Sequence, residues 1–134
     1  MFKTLLIDDE EAILRLLTQV LQMDEFVVTT ASSAREALAL LARQEFDLVV
    51  TDLRMETPLA GFDVVQAVTR LTPQPVSVIL TAFPVPTDQW QRTGADALLV
   101  KGSDSLALPQ RLKTIMQQKS ATTSVHRTRL FATR

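Results

Sequence analysis

Five short apolar runs are spaced along this chain, and each is followed by a segment with helical periodicity. Runs of this length that are almost continuously apolar are typical of strands buried on both faces, as in a parallel sheet. The alternation of strand and helix therefore predicts an α/β fold, a doubly wound parallel sheet with helices on both faces. The expected strands are residues 3–7, 26–30, 47–51, 76–80 and 97–100.

The segments between the runs place apolar residues at helical spacing, which predicts a helix after each strand. The first such segment is residues 10–22. Ser33 followed by Glu36 forms a capping box, which predicts where the second helix begins. The third helix follows a loop that contains Gly61, and the fourth is short and contains Trp90.

The composition indicates one ordinary domain. The chain has 134 residues, no cysteine and a formal net charge of −1, which excludes thiol chemistry and gives no general attraction to nucleic acid. No apolar run approaches the ~20 residues of a membrane span. Met1 leads directly into the first strand, so we expect no signal peptide and a cytoplasmic location. The expected domain is residues 1–119, and the polar basic tail 120–134 is expected to be disordered or a linker.

Polar residues follow four of the strands at the point where each strand ends. The carboxyl ends of parallel strands lie along one edge of the sheet, where open α/β folds bind ligands. Three carboxylates, one hydroxyl and one ammonium should therefore converge there. The carboxylates would repel one another without a divalent cation, so we predict that this edge binds one. The residues are Asp8, Asp9, Asp52, Thr81 and Lys101.

The segments around these residues resemble the response-regulator receiver domain of bacterial two-component signalling, in the CheY-like superfamily. The likeness runs from residue 3 to about residue 118, and its motifs are specific because five key residues occur in order at strand ends. It implies a flavodoxin-like five-stranded sheet in the order 2-1-3-4-5. The segments that carry it are Leu6–Glu11, Asp47–Met55, Leu80–Ala82 and Gly94–Lys101.

The resemblance also implies the identity of the cation and its ligands. Receivers bind Mg²⁺, which prefers a few carboxylates together with waters and phosphate oxygens. Asp9 is expected to bind the ion directly, Asp8 directly or through water, and Asp52 through its own carboxylate. The fourth protein ligand implied by the likeness is the backbone carbonyl of Arg54.

In the same way, the resemblance implies a phosphoacceptor and two residues that contact the phosphoryl group. Asp52 is the expected nucleophile, which attacks a phosphohistidine to give an aspartyl phosphate. Thr81 should donate its hydroxyl to a phosphoryl oxygen, and Lys101 should pair with those oxygens as a point charge. Taken singly, each could be an ordinary residue at the end of a strand.

The chain departs from the family pattern on one face. Gly102 follows Lys101 where receivers usually have a proline, and Leu98 stands where they often have tyrosine or phenylalanine. That ring normally turns inward when the threonine contacts phosphate, and leucine has no ring to turn. We therefore expect the phosphorylation signal to leave the domain by another surface.

Two other functions remain open at this stage. The departures at Leu98 and Gly102 favour an interaction module that works without phosphorylation. A haloacid-dehalogenase-like phosphatase is a distant third. Its two signature aspartates are separated by one intervening residue, whereas Asp8 and Asp9 are adjacent. For the receiver function we expect no enzyme activity beyond its own phosphorylation and dephosphorylation.

The receiver hypothesis also predicts the partners of the chain. A histidine kinase or a phosphotransfer protein is expected to supply the phosphoryl group, while the sequence does not name the downstream effector. We expect no direct binding of nucleic acid by this chain, no membrane span, and a monomer or a weak homodimer.

Overall fold

The computed structural model describes residues 1–83, 85–102 and 104–132, with side chains described as far as residue 120. One five-stranded parallel sheet is present in the order β2-β1-β3-β4-β5, as the sequence predicted. The strands are β1 (Phe2–Ile7), β2 (Phe26–Ala31), β3 (Leu48–Thr51), β4 (Val76–Thr81) and β5 (Ala97–Val100). The helices are α1 (Glu11–Gln22), α2 (Ala34–Leu41), α3 (Ala60–Thr69), α4 (Thr87–Gln91) and α5 (Leu108–Ala132).

The strand and helix bounds lie within a few residues of those expected, with two notable differences. Gly61, expected in the loop before the third helix, lies inside the first turn of α3. The second difference is at the C-terminal side, where the backbone of α5 continues as a helix to Ala132, into the segment 120–134 that was expected to be disordered or a linker. The domain boundary at residue 119 and the role of this segment stay predictions.

Side chains of the central strands alternate between the two faces of the sheet, as the two-residue period of a strand requires. On β1, Leu6 packs with residues of α1 and α5, including Leu17 and Leu112. Its neighbours Leu5 and Ile7 pack with residues of α2 and α3 on the other face. Burial on both faces explains why the strands are almost continuously apolar in the sequence.

The strand register brings the polar residues to one edge of the sheet. Ile7 pairs with Thr51 across β1 and β3, so Asp8 and Asp52 follow at the same level. The Asp52 N–H donates to the Ile7 carbonyl at 2.9 Å, and the Lys101 N–H donates to the Thr81 carbonyl at 2.7 Å. Backbone hydrogen bonds therefore continue one residue past the strand ends, and they fix the backbone positions of Asp52 and Lys101.

The start of α2 is capped differently from the predicted capping box. The Ser33 hydroxyl accepts from the Glu36 N–H at 3.0 Å, which confirms half of the box. The Glu36 carboxylate bonds instead to Ser32, at 3.1 Å from its N–H and 2.8 Å from its hydroxyl. The hydrogen bond from the Ser32 N–H, followed by that from its hydroxyl, lowers the pKa of Glu36.

Close packing of α3 on the end of β3 explains the glycine at position 61. The Gly61 N–H donates to the Leu53 carbonyl at 2.9 Å. A Cβ at this position would lie 2.3 Å from the Asp52 carbonyl oxygen and 2.8 Å from the Leu53 Cα. Both atoms belong to the backbone and cannot rotate away, so any side chain here would displace the residues that follow β3.

We predict that Gly61→Ala destabilises the protein by about 1–3 kcal/mol, the usual cost of overpacking a core. Alanine is favoured over glycine in a helix by about 1 kcal/mol, and the clash with the Asp52 carbonyl should outweigh that gain. Urea unfolding monitored by circular dichroism measures the difference.

The matched control is Gly102→Ala, because a Cβ there meets only the Val100 carbonyl oxygen, at 3.9 Å. We expect a change within about 0.5 kcal/mol for this variant. Equal stability of the Gly61→Ala protein and the wild type would show that α3 can move away from β3 without cost.

Candidate functional site

Three predicted site residues form an acidic pocket at the carboxyl edge of the sheet. Oxygen atoms of Asp8, Asp9 and Asp52 all lie within 4.8 Å of one another. Asp8 is 2% exposed and Asp52 is 8% exposed, whereas Asp9 is exposed to solvent. Buried carboxylates are costly unless they are paired, so the pocket requires positive charge.

Lys101 supplies positive charge to the two buried carboxylates. Its ammonium Nζ lies 2.6 Å from Asp8 Oδ2 and 3.2 Å from Asp52 Oδ2. The Lys101–Gly102 peptide bond is trans, since the cis bond among the described residues is Thr72–Pro73. Replacement of the usual proline by Gly102 therefore leaves the lysine inside the pocket.

Backbone N–H groups hold the other oxygen of each buried carboxylate. The Leu53 N–H donates to Asp52 Oδ1 at 2.8 Å, and the Glu10 N–H donates to Asp8 Oδ1 at 2.9 Å. Asp8 and Asp52 are thus fixed in position before any ligand binds. Within the part of the chain that the structure describes, the Asp9 carboxylate makes no hydrogen bond or ion pair, so it is available to a cation.

The pKa values of Asp52 and Lys101 reflect this crowding of charge. Burial raises the pKa of Asp52, and although Lys101 opposes that change and Asp8 adds to it, the net shift is upward. Burial alone would lower the pKa of Lys101, but its hydrogen bond to Asp8 and the charges of both carboxylates raise it overall. Lys101 is therefore firmly protonated, while ionised Asp52 remains short of positive charge.

The donor set of the pocket fits a hard divalent cation. Carboxylate and carbonyl oxygens are the ligands that such ions prefer, and the described residues of the pocket offer no sulfur or imidazole donor. Three carboxylates and one ammonium leave two negative charges uncompensated, which a single divalent cation would cancel.

Thr81 lies at the same edge, and its hydroxyl contacts the loop that follows β4. The residue is 1% exposed, and its Oγ1 accepts from the Phe83 N–H at 3.3 Å. This weak bond ties the hydroxyl to the loop that follows β4. Because the hydroxyl only accepts in this bond, its own O–H remains available for the predicted contact with a phosphoryl oxygen.

The loops that follow β3 and β4 meet through a contact that the sequence did not predict. The Arg54 guanidinium lies over the Phe83 ring, with Cζ 4.8 Å from the ring centroid. The family resemblance implied a role for the backbone carbonyl of Arg54, and not this contact between its side chain and Phe83. Their pairing depends on side-chain directions in two loops, which no periodicity encodes.

Comparison with known proteins places the chain in a family. The model of the response regulator receiver domain family matches residues 4–113. The chain is 33% identical over 121 residues to the transcriptional regulatory protein GlrR of Escherichia coli, covering 89% of this chain and 27% of GlrR. It is 39% identical over 107 residues to the alginate biosynthesis transcriptional regulatory protein AlgB of Pseudomonas aeruginosa, covering 80% of this chain and 22% of AlgB.

Solved structures agree with the assignment of the fold. The response regulator protein TrrA of Thermotoga maritima, in complex with Mg²⁺ and BeF, superposes with a TM-score of 0.76 at 27% identity. The match covers 86% of this chain and 99% of that structure. The chain spans about a quarter of the length of the curated relatives GlrR and AlgB. None of the described helices is long and apolar enough to cross a membrane.

We predict that Asp52→Asn stabilises the cation-free protein at pH 7. Because burial raises the folded-state pKa of Asp52, its ionised form costs stability above that pKa, and the cost vanishes below the unfolded-state value of about 3.9. The asparagine protein should therefore unfold at higher urea at pH 7, with a difference that shrinks as the pH approaches about 4.

Asp63→Asn, at an exposed carboxylate on α3, is the control and should change stability by less than about 0.5 kcal/mol. An Asp52→Asn protein that is less stable than the wild type at pH 7 would contradict the prediction. It would show that the Lys101 ion pair outweighs the burial of Asp52.

Proposed function

This chain belongs to the response regulator receiver domain family, and from that membership we propose that Asp52 accepts a phosphoryl group in a two-component phosphorelay. The observation that carries the proposal is the position of Asp52 beside Asp8, Asp9 and Lys101 at one edge of the sheet. The phosphorylated domain would then change its interactions with a partner.

The proposed reaction uses the buried carboxylate as a nucleophile. An Asp52 oxygen attacks the phosphorus of a phosphohistidine, the P–N bond breaks, and the imidazole leaves with its electron pair. The Leu53 N–H holds Asp52 Oδ1, which leaves Oδ2, now facing Lys101, as the attacking oxygen. Lys101 then turns from the carboxylates to the transferred phosphoryl oxygens, and Thr81 donates its hydroxyl to another of them.

The cation we propose for this site is Mg²⁺, held by Asp8, Asp9, Asp52 and the carbonyl of Arg54. When bound, the ion neutralises negative charge on the phosphoryl oxygens. Of the three pocket carboxylates, Asp9 is the one without a partner among the described residues, while Asp8 and Asp52 are already fixed by backbone N–H groups. Support also comes from TrrA, whose structure contains Mg²⁺ with BeF.

Partners and location follow from the family in the same way. We propose that the phosphoryl donor is a histidine kinase or a phosphotransfer protein and that the chain is cytoplasmic. The relatives GlrR and AlgB are named as transcriptional regulatory proteins, but this chain corresponds to about a quarter of their length. A role in transcription would therefore belong to other parts of such a protein, and this segment would act as the phosphorylated switch.

One observation favours the alternative of a phosphorylation-independent module. Leu98 is partly buried against a core cluster that includes Phe62 and Ile79, so the position where the family often has a mobile ring is filled by an aliphatic side chain. A receiver-like module that no longer used the acidic pocket for phosphorylation would still have this arrangement. Phosphorylation of Asp52 followed by a conformational change would exclude it.

We predict that the purified protein gains one phosphoryl group at Asp52 when it is incubated with Mg²⁺ and acetyl phosphate. Asp52→Asn should gain none, because an amide is not a competent nucleophile. Intact-protein mass spectrometry measures the labelling, and incubation without Mg²⁺ is the control. Equal labelling of the wild type and Asp52→Asn would disprove the assignment.

For the metal, we predict that Asp9→Ala weakens Mg²⁺ binding more than Asp8→Ala does. Asp9 offers an unengaged carboxylate, whereas both oxygens of Asp8 already have partners in Glu10 and Lys101. We expect a loss of at least about tenfold for Asp9→Ala, or 1.4 kcal/mol, by titration calorimetry. An unchanged affinity in the double variant would rule out the acidic pocket as the Mg²⁺ site.

A further inference from the structure

Glu56 connects the loop after β3 to the beginning of α2. Its Oε1 accepts from the Ala34 N–H at 2.9 Å, and its Oε2 accepts from the Arg35 N–H at 3.1 Å. These N–H groups are in the first turn of the helix, where backbone donors have no partner within the helix. Neither the helical pattern nor the family motifs pointed to this residue.

The helix does not depend on Glu56 for its cap. Ser33 already accepts from the Glu36 N–H, and the Glu36 carboxylate bonds to Ser32 just before the helix. Glu56 comes from another part of the chain and satisfies two further N–H groups. Its contact therefore fixes the position of its own loop as well as the beginning of α2.

That loop carries the proposed metal ligand. Arg54 stands between Asp52, whose carboxylate accepts from the Leu53 N–H, and Glu56. The far end of the loop is held by the Gly61 N–H on the Leu53 carbonyl. In between, alongside the packing of Leu53 and Met55 and the contact of Arg54 with Phe83, the Glu56 carboxylate adds a hydrogen-bonded tie to the first turn of α2. Without it, the backbone at Arg54 would lose an anchor two residues away.

We propose that Glu56 is a positioning residue for the phosphorylation site. By anchoring its loop to the first turn of α2, Glu56 holds the carbonyl of Arg54 in the position that a cation in the acidic pocket requires. The inference rests on the proposed function, since it assigns a role toward the same Mg²⁺ site. It also makes α2 part of the machinery that tunes the affinity of the site.

The test compares Glu56→Ala with Glu36→Ala, because both remove a carboxylate from the beginning of α2. Of these two glutamates, Glu56 connects the helix to the loop that contains Arg54, whereas Glu36 bonds to Ser32 just before the helix. Calorimetry on the unphosphorylated protein should show Mg²⁺ affinity about tenfold weaker in Glu56→Ala, within the range typical of residues that orient metal ligands. Glu36→Ala should stay within about twofold of the wild type, because it leaves the loop untouched.

A second variant, Glu56→Gln, guards against a failure of Glu56→Ala to fold. Glutamine keeps the shape and one acceptor oxygen but cannot accept from both N–H groups, so its Mg²⁺ affinity should lie between wild type and Glu56→Ala. With acetyl phosphate, both Glu56 variants should need more Mg²⁺ for half-maximal phosphorylation. At saturating Mg²⁺ their rates should approach the wild-type rate, which a general loss of structure would not allow.

Each outcome is decisive. Equal Mg²⁺ affinity in wild type, Glu56→Ala and Glu56→Gln would overturn the inference while leaving Asp52 as the phosphoacceptor. Equal weakening by Glu56→Ala and Glu36→Ala would overturn it too, because the effect would then come from the stability of α2. A wild-type protein that neither binds Mg²⁺ nor accepts phosphate would overturn both this inference and the proposed function.

Discussion

The burial of two carboxylates at one edge of the sheet is the constraint on which the site depends. Asp8 and Asp52 are nearly inaccessible, and ionised groups in that position must be compensated. Lys101, directly after β5, provides the compensation, although β3 and β4 lie between β5 and β1 in the sheet. The strand order and register are therefore more than scaffolding, because they determine whether this ammonium can reach both carboxylates.

The compensation is incomplete, and this gives the pocket its chemistry. One ammonium shared between Asp8 and Asp52, with Asp9 beside them, leaves an excess of negative charge that favours a cation. A transferred phosphoryl group would add further negative charge and attract Lys101 away from the carboxylates. The pocket can thus exist in two arrangements of charge, and a ligand that prefers one of them shifts the balance between the two.

Much of this arrangement could be predicted from the sequence, and the remainder shows where sequence reasoning ends. Strand positions follow from apolar runs, and the convergence of Asp8, Asp52 and Lys101 follows from the edge that parallel strands share. The contact of Arg54 with Phe83 and that of Glu56 with α2 could not be predicted in this way. Both join loops distant in sequence, and their geometry depends on backbone turns for which neither periodicity nor a motif exists.

These loop contacts offer a path for the signal that does not need an aromatic ring at position 98. The Thr81 hydroxyl is bonded to the Phe83 N–H, the Phe83 ring lies under Arg54, and Arg54 precedes the loop anchor at Glu56. Thr81 can donate its hydroxyl to a phosphoryl oxygen while it still accepts from the Phe83 N–H, so a movement of Thr81 toward that oxygen would also move Phe83 and its contact with Arg54. Leu98, packed against the buried cluster that includes Phe62 and Ile79, can stay in place during that change. The surface that responds would then be the rim formed by these two loops and the beginning of α2.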